Sequence, residues 1–339
     1  MSLALSEFLD WRKHGYADTT ALGECLQALV NERLDQLPQP GGGQTLERWQ
    51  ALACIAGHDL GLCKLFEGHT DALSIMHALQ APLPVQGSTW GMWAAEPPKD
   101  RVNVRPDSGS LLLNGRKAWC SGAAVLSHAL ITTWDQQDRQ QLVAVKLDQP
   151  GVTVTTDGWR AIGMGATGSV QVLFDNAWGE AVGDPGAYLA RPGFWQGGIG
   201  IAACWYGAAR ALAQCLLQQT IKHEEPHAMA HLGAVDVALH AASSVLHAAA
   251  VSLDSNPDDD AELLARRCRG VIEHTAEQVI FHVGRAMGAG PYCKDAHFAR
   301  LIADLPVFLR QSHAERDLQA LGQLTARPGL IGPSRKWLL

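Results

Sequence analysis

Leu111-Leu112-Leu113-Asn114-Gly115-Arg116-Lys117-Ala118-Trp119-Cys120-Ser121-Gly122-Ala123 is the stretch on which the fold turns. Three leucines make a short apolar run, and Asn-Gly is the dipeptide that best tolerates the positive φ angles of a two-residue hairpin. The run predicts a strand followed by a turn at 114–115. Further short runs surround it: Ala129–Trp134, Gln141–Leu147, Val152–Val154 and Ser169–Phe174, each bounded by polar turns. With no helical pattern between them, they predict an antiparallel sheet or partial barrel.

Both flanks read as helix. Leu46, Trp49, Leu52, Ala53, Ala56, Leu60 and Cys63 recur at three- and four-residue steps, the spacing of one apolar helix face. Gly57, Gly61 and Gly68 interrupt that pattern, each costing about 1 kcal/mol against alanine in one continuous helix. Ala- and Leu-rich patterns return from about residue 195. The acidic run 254–260 separates two long ones, and a third is expected over about 296–323. The expected fold is therefore α+β multidomain: a helical domain over 1–85, a middle antiparallel β-domain over 86–182 and a helical bundle over 183–339.

The chain has 339 residues, 47% apolar and 18% charged, which is the composition of a folded protein with a large core. Its 27 Lys and Arg against 34 Asp and Glu give a net charge of -7, so neither nucleic acid nor an anionic membrane is an expected partner. No apolar run is expected to reach the ~18–20 residues of a membrane span, and the first residues lack the pattern of a secretory signal. Eight scattered cysteines without a Cys-x-x-Cys pair fit a reduced compartment, and the expected location is cytoplasmic.

Gly163-Met164-Gly165-Ala166-Thr167-Gly168 has the spacing of a dinucleotide fingerprint, but a strand rather than a helix follows it, so it reads as a turn. His223, His227 and His231 have a metal-ligand spacing, but Pro226 breaks the run and no metal is expected. The G-x-S-x-G elbow of serine hydrolases and the Walker loop of nucleotidases are missing.

In the middle zone the residues resemble the acyl-CoA dehydrogenase family. The run 111–123 is similar to that family's Asn-Gly, basic, Lys-x-Trp-x-Ser pattern. Gly163–Asn176 is similar to its Gly-Met-Arg-Ala-Thr-Gly-Ser segment, Trp93-Ala94-Ala95-Glu96-Pro97 to its strand ending in Thr-Glu-Pro, and Met287–Tyr292 to its Gly-rich turn before the last helix. The resemblance covers about 50–323, in the family's order. It implies an FAD-dependent (or FMN-dependent) flavoprotein oxidoreductase, forming a homodimer or homotetramer and oxidising an acyl thioester or a related small molecule. It further implies that Trp93, Ala95, Glu96, Trp119, Ser121, Arg285 and Gly288 bind the cofactor, Trp119 against the flavin ring and Ser121 at its N5 edge.

The departures point to altered chemistry. Ala95 replaces the family's threonine. Pro98-Lys99-Asp100-Arg101 replaces its acyl-CoA-holding Gly-Ser-Asp, and its Arg-x-x-Phe-Gly has no counterpart near Lys222. Counting about twenty residues beyond the Gly-rich turn, to where the family's usual catalytic glutamate lies, reaches Gln311 and Ser312, beside His313. Gln311, Ser312 and His313 are thus the candidate catalytic residues, with His313 as the acid or base. A base from Glu224 or Glu225 is the other option. Relatives lacking the glutamate are often monooxygenases, so a flavin-dependent monooxygenase is the alternative function, and a scaffold that has lost flavin is a third.

Overall fold

The computed structural model describes residues 2–12, 16–82 and 84–327. Four helices come first: α1 (Ser2–Asp10), α2 (Thr19–Asn31), α3 (Thr45–His58) and α4 (Leu60–Ala78). Seven strands follow among the described residues: β1 (Trp90–Trp93), β2 (Val102–Asp107), β3 (Ser110–Cys120), β4 (His128–Trp134), β5 (Gln140–Lys146), β6 (Val152–Val154) and β7 (Val170–Val182). The remainder is helical: α5 (Ala187–Ala190), α6 (Gly193–Lys222), α7 (Pro226–Ser255), α8 (Glu262–Met287), α9 (Ala289–Lys294), α10 (Ala296–Phe308) and α11 (Glu315–Ala326).

The sheet closes on itself. β4 pairs with both β5 and β2, so β2-β3-β7-β5-β4 forms a ring, with β1 added beside β4 and β6 beside β7. It is not wholly antiparallel as expected: β4 runs parallel to β1 and to β2. The β2–β3 hairpin lies between β1 and β4 in the chain and supplies the crossover that parallel pairing needs.

Asn114-Gly115 is not the turn. The hairpin reverses at Ser108 and Gly109, with φ of 48° and 90°, while Asn114 and Gly115 lie within β3, where the register against β7 slips by one residue. A Cβ on Gly115 would stand 2.2 Å from the Arg101 carbonyl oxygen. Glycine is required there by a bulge and a close backbone approach, not by a reversal.

The glycines of the first helical pattern do not break it. Asp59 does, with extended backbone and a carboxylate that accepts from Leu62 N at 2.8 Å to cap α4. One glycine has a packing reason: a Cβ on Gly207 of α6 would meet the Ala53 carbonyl at 2.2 Å, so α3 and α6 cross backbone to backbone. A contiguous apolar core then runs from α2–α4 through the barrel to α6, α8 and α10.

The helix expected over 296–323 is two. α10 passes into a 3-10 turn at Leu309–Gln311, and α11 starts only at Glu315. Ala314, at φ 47° and ψ -114°, cannot continue a helix. On the outer side, and against the expectation that no segment does so, α7 reaches the length and hydropathy of a membrane span. Only 28% of its most apolar window is buried, and Val237 and Val251 point outward at 70% and 68% exposure.

Candidate active site

A cavity of about 660 Å³ lies between one face of the barrel, α4, α6, α8 and the turn after α10, within the size range of small-molecule and cofactor sites.

The barrel contributes a flat, hydroxyl-edged wall. Trp119 lines it, half exposed at 50%, with φ 56° in the left-handed region. That conformation costs a non-glycine residue about 1 kcal/mol or more, and such strain collects at ligand sites. Two residues before it on β3, Lys117 is fully buried, donating from Nζ to Thr132 O at 2.8 Å and Thr132 Oγ1 at 2.7 Å, with Glu96 at 3.5 Å. Burial lowers the Lys117 pKa, and the Glu96 carboxylate opposes that shift. Glu96 also accepts from Thr132 Oγ1 and Trp134 Nε1. Pinned in this way, Glu96 holds the strand end that carries Ala95 into the cavity wall.

Three hydroxyls run along the wall. Ser121 Oγ and Ser169 Oγ are 2.7 Å apart, as are Ser169 Oγ and Thr167 Oγ1, and Thr167 Oγ1 donates to Met164 O at 2.7 Å. Each hydroxyl has one proton. With that of Thr167 on Met164 O, Ser169 donates to Thr167 and Ser121 to Ser169, which leaves the Ser121 oxygen as an acceptor towards the cavity. Trp93 closes this side, its indole N–H on Ser121 O at 3.2 Å.

The loop carrying Thr167 is docked on α10. A Cβ on Gly163 would lie 2.2 Å from Ala303 O. Met164, at φ 59°, donates its N–H to Asp304. Burial raises the Asp304 pKa, offset by the Met164 amide and Arg300. Arg300 reaches Asp304, Asp59 and the Tyr16 carbonyl, and Thr19 Oγ1 donates to Ala166 O at 2.8 Å.

The helical wall is charged. Lys64 and Glu67 on α4 pair at 2.8 Å, and burial raises the Glu67 carboxyl pKa. From the turn after α10, Gln311 and His313 reach the cavity, and Gln311 Oε1 is buried with no hydrogen-bond partner. Asp317 on α11 accepts from His313 N at 3.0 Å and pairs with Arg266 at 2.9 Å. Arg269 Nη2 donates to Gln311 O at 3.1 Å and its Nη1 to Gly198 O at 2.7 Å.

Of the residues singled out from sequence, Trp93, Ala95, Trp119, Ser121, Gln311 and His313 line this one cavity. Four do not. Glu96 is turned into the barrel as described. Ser312 is buried behind the turn, its Oγ accepting from Ala314 N at 3.1 Å to hold the backbone rather than to face the cavity. Arg285 and Gly288 sit at the far end of α8, sixteen residues and about 24 Å of helix beyond Arg269, where Arg285 lies over the Phe281 ring. Glu225 is likewise elsewhere, capping α7 through Ala228 N. Sequence reasoning missed Lys64, Glu67, Arg266 and Arg269. The i, i+3 spacing of the two arginines was the available signal, but it reads equally as a solvated helix face.

Comparisons with known proteins bear on the fold. Residues 95–177 match the sequence profile of the acyl-CoA dehydrogenase middle domain. The amino sugar nitrososynthase DnmZ of Streptomyces peucetius is 27% identical over 184 residues, half of this chain and 45% of that protein, so the match spans less than half of the relative. A structure of KijD3 in complex with FMN and a dTDP-3-amino-4-keto sugar superposes with a TM-score of 0.76 at 19% identity, covering 89% of this chain and 86% of that one. Methanesulfinate monooxygenase MsuC from Pseudomonas fluorescens gives 0.74 at 19% identity, covering 96% and 93%. The middle part of the chain, residues 95–177, is thus similar to the acyl-CoA dehydrogenase middle domain, and the chain as a whole shares the fold of these structures.

Proposed function

We propose that this protein is a flavin-dependent monooxygenase that binds FMN in the cavity and oxygenates a small molecule. The observation that carries the reading is the pairing of the two walls. A half-exposed tryptophan with a hydroxyl edge faces a turn that presents an amide and an imidazole, with no carboxylate in the turn itself. The indole offers a broad apolar face for a ring system and Ser121 an acceptor for a ring N–H. Bound reduced flavin supplies the two electrons with which O₂ is divided between product and water.

This chain's own residues hold and exclude. Trp119 and Trp159, which also lines the cavity, shield the ring from water, Ser121 orients its polar edge, and Gln311 Oε1 accepts from a ligand donor. His313 is within one turn of the same space and moves a proton at the substrate. Acyl-thioester oxidation, the first expectation from sequence, needs a carboxylate to take the α-proton. The carboxylates that reach the cavity are Glu67, paired to Lys64, Asp317, paired to Arg266, and Asp71 on α4. FMN rather than FAD is favoured because the KijD3 structure that superposes on this chain holds FMN. A homo-oligomer joined through the outward apolar side of α7 and Phe281 of α8 completes the reading.

The test is to titrate the purified protein with FMN and with FAD while following tryptophan fluorescence, then to supply reduced FMN and labelled O₂ to candidate small molecules. FMN quenching and label in a product are expected. If neither flavin binds, oxidised or reduced, the reading fails and a scaffold role replaces it.

A further inference from the structure

The tripeptide Gln311-Ser312-His313 is held at both of its ends from one face of α8. At the first end, the Arg269 guanidinium bridges Gln311 O and Gly198 O, at 3.1 and 2.7 Å. At the second, His313 N donates to Asp317 at 3.0 Å, and Asp317 is itself gripped by Arg266 at 2.9 Å. Arg266 and Arg269 are one turn apart on the helix and so share a side. Each is braced by an indole, Arg266 over Trp195 at 4.6 Å and Arg269 over Trp205 at 4.8 Å. Trp195 lines the cavity too, and Trp205 is fully buried.

The clamp matters because the tripeptide's own hydrogen bonds are all local, Ser312 Oγ accepting from Ala314 N at 3.1 Å and His313 O from Arg316 N at 3.0 Å, and none of these ties it to α6 or α8. Its helical hydrogen bonding ends with Ser312 N on Leu309 O at 2.9 Å, and Ala314 follows in a conformation unfavourable for a residue with a side chain. Backbone of this kind persists only where its surroundings over-determine it. The two carbonyls that Arg269 joins belong to opposite elements, α6 and the turn. A charged donor that reaches both sets the distance between them.

We propose that Arg269, with Arg266 and Asp317 at the other end, is a positioning residue: the pair of α8 arginines fixes where the Gln311 and His313 side chains stand relative to the Trp119–Ser121 wall. This rests on the function proposed above for what the placement is used for, but not for the clamp itself. Loss of the guanidinium frees the turn and misplaces Gln311 and His313 without emptying the barrel wall of its own contacts.

The experiment compares Arg269→Met, Arg269→Lys and Asp317→Asn with the wild type by amide hydrogen exchange, and then records the visible absorption spectrum of each protein loaded with FMN. In Arg269→Met, exchange over 309–314 is expected to quicken about tenfold or more, with 117–123 and 163–169 unchanged and the flavin spectrum shifted. Arg269→Lys, which keeps the charge but reaches one carbonyl, restores part of the protection. Asp317→Asn retains an acceptor for His313 N but weakens the grip of Arg266, and quickens exchange at 313–314 more than at 311. Unchanged protection of 309–314 in Arg269→Met overturns the proposal. So does a loosening spread equally over α6, α8 and the barrel, which marks a general stability role. Failure of the wild type to bind FMN sinks the function proposed above, and the exchange data still decide the clamp.

Discussion

On the barrel side of the cavity, Trp119, Ser121, Thr167 and Ser169 are placed by a buried lysine, a hydroxyl chain and a loop laid on α10. On the helical side, Gln311 and His313 hang on a broken turn held by two arginines of another helix. The barrel wall is a rigid surface with its polar groups satisfied among themselves, apart from what it turns to the cavity. The helical wall stakes its geometry on a few charged contacts. A site built in this way can keep its ring-binding face constant while the residues opposite vary, which is how one fold carries different chemistries.

The contrast breaks hardest at Lys117. Removing the ammonium leaves Thr132 O and Oγ1 without that donor, takes the counter-charge from Glu96 and leaves a void where the Lys117 side chain was buried. Lys117→Ala is expected to cost about 3 kcal/mol, read as a lower midpoint in denaturant, and to abolish FMN binding. A midpoint within error of the wild type would mean that the barrel wall does not depend on its buried ion.

Next comes the loop. Gly163→Ala places a methyl group 2.2 Å from the Ala303 carbonyl, so the loop must lift from α10 at an expected cost of about 1–3 kcal/mol. The accompanying sign is faster amide exchange at 164–169, absent if the loop is held by its own hydroxyls alone.

Trp119→Gly sharpens the comparison by separating fold from ligand. Glycine accepts φ 56° freely, so the relief offsets the lost packing of a half-exposed ring and stability stays within about 1 kcal/mol of wild type. FMN affinity falls roughly tenfold or more for want of the stacking surface. Equal losses in both would make Trp119 a core residue rather than a wall.

The smallest effect lies on the outer helices. His231 and His282 join α7 to α8 through their Nδ1 atoms at 2.9 Å. Burial, with His231 and Arg285 nearby, lowers the His282 pKa. Below the ordinary value of about 6.5, the unfolded chain takes up a proton that the folded one resists, so stability falls as pH falls. Melting temperatures compared at about pH 7.5 and about pH 5.5 should show that drop, and His282→Gln should reduce it.

Sequence and structure part company along the same line. The order of helical, strand and helical zones was legible from local periodicity, and so were Trp119 and Ser121, whose neighbours in the run 111–123 identify them. Gln311 and His313 were reached only by counting from a Gly-rich turn. The same counting chose Ser312, whose side chain faces away, because a turn's facing is decided by contacts outside it. Arg269 was invisible because its acceptors lie forty-two and seventy-one residues away in the chain. Asn114-Gly115 misled for a related reason. The dipeptide tolerates unusual φ wherever it is needed, and here Arg101 across the sheet, not a reversal, needs it.

The docking of 163–168 on α10 also bears on the order in which the molecule assembles during synthesis. Tyr16 waits for Arg300, 284 residues later, and Met164 waits for Asp304, 140 residues later. The α2 and α4 ends and the barrel loop emerge from the ribosome long before the helix that joins them. Closure of the site is then a late, long-range event, of the kind that slows folding and leaves apolar surface open in the meantime.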